Sequence, residues 1–170
     1  MARTVTFKGT PVNLTGDGPA VGANAPEATL IGNDLSEVKL SSFKGTTVIL
    51  SSVPSLDTGI CDIETKRFNA EASKLPGVKI VTVSRDLPFA QKRWCGAACA
   101  TNVVTLSDFR DGNFGKAYGN VLAGSPLSGL LCREVLVVGK DGLVKYRQLV
   151  PEIAQEPDYD AVIAAAKAAG

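Results

Sequence analysis

Thr46-Thr47-Val48-Ile49-Leu50-Ser51-Ser52-Val53 is an almost unbroken run of β-branched and apolar residues. Such a run fits a central strand covered on both faces, where strict alternation is not needed. It leads into the turn-rich Pro54-Ser55-Leu56-Asp57-Thr58-Gly59-Ile60 and then into a helical pattern over residues 61–75. In that pattern Cys61, Phe68, Ala72 and Leu75 share one side, and Asp62, Lys66 and Arg67 lie away from it. Pro76-Gly77 ends the helix, and Val78-Lys79-Ile80-Val81-Thr82-Val83 reads as a second buried strand.

Working outward from this centre, Pro88 opens a helix that runs through Lys92-Arg93-Trp94-Cys95, with Gly96 weakening its end. Residues 103–106 read as a strand and 113–118 as a short helix. Residues 135–138 and 143–146 flank Gly139-Lys140-Asp141-Gly142, a hairpin signal with Asp-Gly in the turn. Residues 158–169 form a closing helix. On the N-terminal side, residues 4–14 read as a short β-hairpin around Lys8-Gly9-Thr10-Pro11, followed by short strands at 28–31 and 38–40. The Gly, Ser and Pro content of residues 119–129 marks a mobile loop. This order predicts an α/β domain with a mixed sheet, and thioredoxin-like folds share it. Neither an internal repeat nor a second domain is visible, so residues 1–170 read as one domain.

Composition narrows the function. The 170 residues are 45% hydrophobic and 21% charged, an ordinary globular balance that argues against disorder. A chain of this length buries roughly 70% of the surface it exposes when unfolded. Eighteen Lys and Arg against 17 Asp and Glu leave a net charge of +1, no global field for phosphates, and thus a poor case for nucleic acid. The longest run without a formal charge, residues 117–132, is broken by Gly, Asn, Ser and Pro and is shorter than the ~20 apolar residues of a membrane span. Residues 1–14 carry no apolar core followed by a cleavage site, so the expectation is a cytoplasmic protein.

The sequence contains no His. That count removes Ser-His-Asp and Cys-His nucleophile pairs and every His-containing metal site. Four cysteines remain, Cys61, Cys95, Cys99 and Cys132, with no Cys-x-x-Cys pair. A four-thiolate zinc site would need two scattered single ligands, against the usual paired spacing. Cys61 stands out because it falls in the first turn of a helix. Unpaired N–H donors and the positive end of the helix dipole there favour a thiolate, and a low pKa is what makes a cysteine nucleophilic near pH 7. Asp62 and Glu64 oppose this by repulsion, so a cation has to help, with Arg85, Arg93 and Arg133 as candidates. A buried core cysteine at a strand–helix junction is the competing reading.

Pro54-Ser55-Leu56-Asp57-Thr58-Gly59-Ile60-Cys61 resembles the Pro-x-x-x-Thr-x-x-Cys motif of peroxiredoxins. Residues 61–69 and Asp86-Leu87-Pro88-Phe89-Ala90-Gln91-Lys92-Arg93-Trp94-Cys95 are similar to one branch, the bacterial thiol peroxidases. Thr105-Leu106-Ser107-Asp108, Phe114-Gly115, residues 130–138 and Val5-Thr6-Phe7-Lys8-Gly9 with Leu14 extend the similarity over nearly the whole chain. The resemblance implies a thioredoxin-like fold with an added N-terminal hairpin, a homodimer and an atypical two-Cys peroxidase cycle. Cys61 would be the peroxidatic cysteine, attacking the O–O bond and becoming a sulfenic acid. Thr58 would offer its hydroxyl to peroxide and thiolate, Pro54 would shield the pocket from water, and Arg133 would hold the thiolate charged and polarise the peroxide. Cys95 would be the resolving cysteine, closing an intramolecular disulfide with Cys61 that thioredoxin reduces. No metal, haem or flavin is needed.

Physics adds a requirement. A disulfide needs Cα atoms within about 7 Å. Cys61 and Cys95 start on different predicted helices, so one or both ends must unwind during turnover, with Gly59 and Gly96 lowering the cost. The chain also departs from the family pattern, having Gly59-Ile60 where Pro-Val is common. Cys99, if its helix continues, lies one turn beyond Cys95 on the same face, as a second resolver or as a small apolar residue. Cys132 reads as packing. A non-enzymatic redox sensor, in which oxidation of Cys61 unwinds a helix, and a structural thioredoxin-like binding module with four inert thiols are the alternatives to a peroxidase.

Overall fold

The computed structural model describes residues 3–170; Met1 and Ala2, the first residues of the expected domain, lie outside the described residues. The elements are β1 (Thr4–Phe7), β2 (Thr10–Leu14), β3 (Thr29–Ile31), β4 (Glu37–Lys39), a 3-10 turn (Leu40–Phe43), β5 (Thr47–Ser52), α1 (Gly59–Ala72), β6 (Val78–Ser84), α2 (Pro88–Ala97), β7 (Val103–Ser107), α3 (Asn113–Tyr118), β8 (Leu122–Ala123), β9 (Glu134–Val138), β10 (Val144–Leu149) and α4 (Tyr159–Ala168). Seven strands form a mixed sheet in the order β10-β9-β5-β6-β7-β3-β4. β5, β6 and β7 run parallel, and the flanking pairs are antiparallel.

All six residues of β5 are buried, as its unbroken apolar pattern requires. Successive side chains enter opposite layers. Val48 and Leu50 join Val81, Val83, Leu136, Phe114 and Tyr118 on one face. Ile49 joins Ile80, Val135, Val137, Phe68 of α1 and Val162 and Ala166 of α4 on the other. The expected fold class is therefore found: a mixed central sheet with helices on both faces and an added N-terminal hairpin.

The expectation of a loop over residues 119–129 is corrected. Leu122–Ala123 form β8, which pairs with β2 and makes the hairpin a three-stranded sheet. A two-residue strand among Gly, Ser and Pro has no periodicity to betray it; it exists because Leu122 packs with Val5, Val12, Leu14, Cys132 and Ile153. Glu134 fastens the N-terminal segment to the domain. Its fully buried carboxylate accepts hydrogen bonds at one oxygen from Arg3 Nη1 (2.6 Å) and Arg147 Nε (2.7 Å). Arg3 also donates to the carbonyls of Gly16, Tyr118 and Gly119.

Removing that carboxylate strands two half-buried guanidinium groups, and breaking a buried ion pair costs about 3–5 kcal/mol. Glu134→Ala is expected to lower unfolding stability by about 3 kcal/mol in urea titration, with limited proteolysis cutting first in residues 3–24. An unchanged midpoint would show that the hairpin is held by its apolar contacts alone.

Candidate active site

β5 ends beneath the loop 53–58, and α1 begins at Gly59. Pro54 is buried and Thr58 exposed. Asp86, which follows β6, holds this loop: its carboxylate accepts from Ser55 Oγ (2.7 Å), Leu56 N (2.8 Å) and Ser84 Oγ (2.7 Å). Thr58 occupies the N-cap of α1 with extended backbone (φ −99°, ψ 147°). Its hydroxyl donates to the Ser55 carbonyl at 2.8 Å, and no hydrogen bond joins it to Cys61 among the described residues. Gly59 meets nothing within 4 Å of where a Cβ would sit, so neither crowding nor backbone conformation requires glycine there.

Cys61, the third residue of α1, has no exposed surface. Its Sγ accepts from Arg133 Nη2 at 3.3 Å. Arg133, on the segment entering β9, is itself 2% exposed. Its Nε and Nη2 donate to the Ile153 carbonyl (3.1 and 3.0 Å), and its Nη1 pairs with the buried carboxylate of Glu64. Glu64 also accepts from Ser51 Oγ at 2.7 Å. Each of the three guanidinium nitrogens thus has an acceptor, which fixes the fork in one plane. Burial opposes the charge of Arg133, but Glu64 and Cys61 outweigh it and raise its pKa. Burial pushes the Glu64 carboxyl upward, while Arg133 and Ser51 pull against it.

Among the three candidate cations, only Arg133 reaches the cysteine. Arg85 is engaged with Asp108 (3.4 Å), and Arg93 lies against Asp57 on the surface (3.3 Å). The two carboxylates expected to oppose the thiolate are disposed differently, and the cation that the expectation called for is present. Glu64 faces Arg133, and Asp62 turns away to accept from Lys66 Nζ and Trp94 Nε1, each at 2.9 Å. The Lys66 ammonium, helped by the indole N–H, holds the Asp62 carboxyl below its usual range. Glu64 and Asp86 were not singled out from the sequence as site-builders. A carboxylate three residues after Cys61, on the same helix face, was the available signal for Glu64; Asp86 gave none.

The other three thiols occupy different settings, and all four are free. Cys95, near the end of α2, is half-buried and packs on the cluster of Val53, Leu56, Cys61, Trp94 and Ala100. Cys99 is exposed, and α2 does not continue to it. It adopts a left-handed conformation (φ +52°) just past the helix end, where Cys99 N donates to Gly96 O and Ala100 N to Cys95 O. That is the double hydrogen bond of a Schellman ending, with cysteine in the place glycine usually takes. Cys132 is fully buried in the cluster under the three-stranded sheet; burial, then the Glu134 charge, push its thiol well up. No group of three or more His, Cys, Asp or Glu among the described residues could hold a metal ion, and no described helix is long and apolar enough to cross a membrane.

Comparisons with known proteins extend these observations. The Redoxin family model matches residues 20–163. The chain is 49% identical to a thiol peroxidase of Halalkalibacterium halodurans over 166 residues, 98% of each chain. It is 48% identical to a thiol peroxidase of Bacillus subtilis over 164 residues, 96% of each. The crystal structure of a peroxiredoxin-like protein from Aquifex aeolicus superposes with a TM-score of 0.94 at 44% identity, covering 100% of this chain and 99% of that one. A helix-opening cysteine under a buried arginine, in a fold matched from end to end, has one reading: the chain belongs to the Redoxin family, in the thiol peroxidase branch of the peroxiredoxins.

Proposed function

We infer that this protein is a thiol-dependent peroxidase that reduces hydrogen peroxide and organic hydroperoxides at Cys61. The observation that carries the reading is the contact of Arg133 with the Cys61 sulfur inside a site closed to water. A full positive charge in a low-dielectric setting favours thiolate over thiol and can stabilise the negative charge that develops as the O–O bond breaks. The thiolate attacks one peroxide oxygen. The sulfur becomes a sulfenic acid, and the other oxygen leaves as water or an alcohol after taking a proton. In this reading Thr58, whose proton faces Ser55, accepts from peroxide through its free lone pairs. Pro54, buried within the loop, keeps water out.

In this reading Cys95 then attacks the sulfenic sulfur and an intramolecular disulfide forms. Cys95 packs against the apolar cluster that contains Cys61, which supports this pairing, and the separate helices require that an end of α1 or α2 open. Thioredoxin is the proposed reductant, which fits a cytoplasmic protein where thiols are kept reduced. The whole chain acts as one domain. A homodimer accords with the exposed Leu87 and Phe89 at the start of α2 and Phe109 after β7, which lie at neighbouring strand ends. A non-enzymatic sensor is not favoured, since the relatives are peroxidases over their full length.

With less than one equivalent of hydrogen peroxide, peptide mass spectrometry without reductant is expected to find Cys61–Cys95 as the dominant crosslink, reversed by thioredoxin and its reductase. Oxidation scattered over all four cysteines would remove the activated nucleophile. Arg133→Lys loses the fixed fork and is expected to lower the rate of peroxide reduction at pH 7 by at least about tenfold; an unchanged rate would overturn the role of Arg133. Phe89→Glu is expected to shift the sedimentation coefficient to that of a monomer, and an unchanged value would place the interface elsewhere.

A further inference from the structure

Cys95 does not rest free against the Cys61 cluster. Its sulfur lies 3.4 Å from Thr105 Oγ1 of β7 and receives a long contact from Asn33 Nδ2 (4.0 Å), in the turn after β3. Thr105 Oγ1 in turn donates to Asn33 Oδ1 at 3.1 Å. The hydroxyl's only proton is therefore committed to Asn33, and its oxygen is left to accept from the Cys95 S–H. The three groups close a ring in which each donates once and accepts once: sulfur to Thr105, Thr105 to Asn33, Asn33 to sulfur. They come from three separate elements. Thr105 is 3% exposed on the strand that α2 packs against, where a valine would fill the same space without a polar group.

We propose that Thr105 and Asn33 are positioning residues that seat the resolving thiol in the reduced enzyme and so set how long the Cys61 sulfenic acid survives. The inference rests on the reading of Cys95 as the resolving cysteine. Disulfide formation joins the two sulfurs, breaks the Cys61 S–O bond and releases water, which carries away the Cys95 proton. The sulfur cannot donate to Thr105 and bond to Cys61 at once, so the ring must open first. While it is closed, a second peroxide can oxidise the sulfenic acid to the sulfinic acid, itself leaving as water or an alcohol. The seat therefore governs the partition between turnover and inactivation. The Asp62–Trp94 hydrogen bond holds the adjacent turn of α2 and leaves the sulfur itself to this ring.

The test is the ratio of Cys61 sulfinic acid to Cys61–Cys95 disulfide after a pulse of excess hydrogen peroxide, read by alkylation and mass spectrometry. This ratio compares two fates of one sulfenic acid and does not depend on how fast that acid forms. Thr105→Val keeps the shape and removes the acceptor. A neutral hydrogen bond of ordinary strength corresponds to a three- to tenfold lower ratio, by about that factor. Thr105→Ser restores the hydroxyl and is expected to stay within about twofold of the unmodified protein. Asn33→Ala opens the ring from its other side and shifts the ratio in the same direction, so the proposal stays testable if the valine variant fails to fold. A ratio unchanged in Thr105→Val and Asn33→Ala, or a serine variant that behaves like the valine one, overturns the seat. If the unmodified protein forms no Cys61–Cys95 disulfide, the resolving role of Cys95 fails instead, and the seat with it.

Discussion

The guanidinium of Arg133 is the point on which the site depends. It is almost wholly buried and each of its nitrogens has an acceptor among the Cys61 sulfur, the Glu64 carboxylate and the Ile153 carbonyl. Taking such a charge out of water costs several kcal/mol, recovered only when geometry and hydrogen bonding are close to complete. The surrounding structure meets that demand. α1 must begin where it does for Cys61 and Glu64, one turn apart, to face the same cation. Ser51 of β5 must present its hydroxyl to the second Glu64 oxygen, and residues 150–153 must bring a carbonyl over the sheet edge. This explains why α1 buries Glu64 on its inner face together with Phe68. The helix carries a polar site at one end and joins the apolar core at the other.

The four thiols show how environment, more than residue type, divides the chemistry. Cys61 meets a fixed cation, Cys95 meets neutral hydrogen-bonding groups, Cys99 meets solvent at a helix ending, and Cys132 meets apolar side chains and a neighbouring negative charge. Only the first of these settings brings a full positive charge against the sulfur. Asp62 ties the first turn of α1 to Trp94 of α2, so the helices that bear Cys61 and Cys95 share a direct polar link as well as an apolar cluster.

Much of the fold was legible because burial leaves a local mark. The continuous apolar runs of β5 and β6, the Asp-Gly turn between β9 and β10, and Pro88 at the start of α2 each announce an element from neighbouring residues alone. β8 escaped because two residues carry no period, and whether α2 reaches Cys99 stayed open because a left-handed cysteine gives no breaker signal. The position of Cys61 at a helix start could be read. The pairing of Arg133 with Glu64 could not, since the two lie 69 residues apart and meet only through the fold. The ring of Asn33, Cys95 and Thr105 is hidden for the same reason, being assembled from a turn, a helix and a strand.

Arg133 and Glu134 are neighbours in sequence and opposite in charge, and the chain sends them in opposite directions. Arg133 reaches towards α1, and Glu134 towards Arg3 and Arg147. Along an extended segment that separation depends entirely on register, because a slip of one residue exchanges the two faces. Here such a slip would insert a carboxylate beside Cys61 and bring a guanidinium up to Arg3 and Arg147. Ser52 stands against it. It is the ladder partner of Glu134, its hydroxyl donates to the Cys132 carbonyl at 2.9 Å, and it accepts from Asn120 Nδ2 at 3.1 Å. The ladder of β5 on β9, closed at its end by this serine, thus fixes the sign of the electric field that the reactive sulfur experiences.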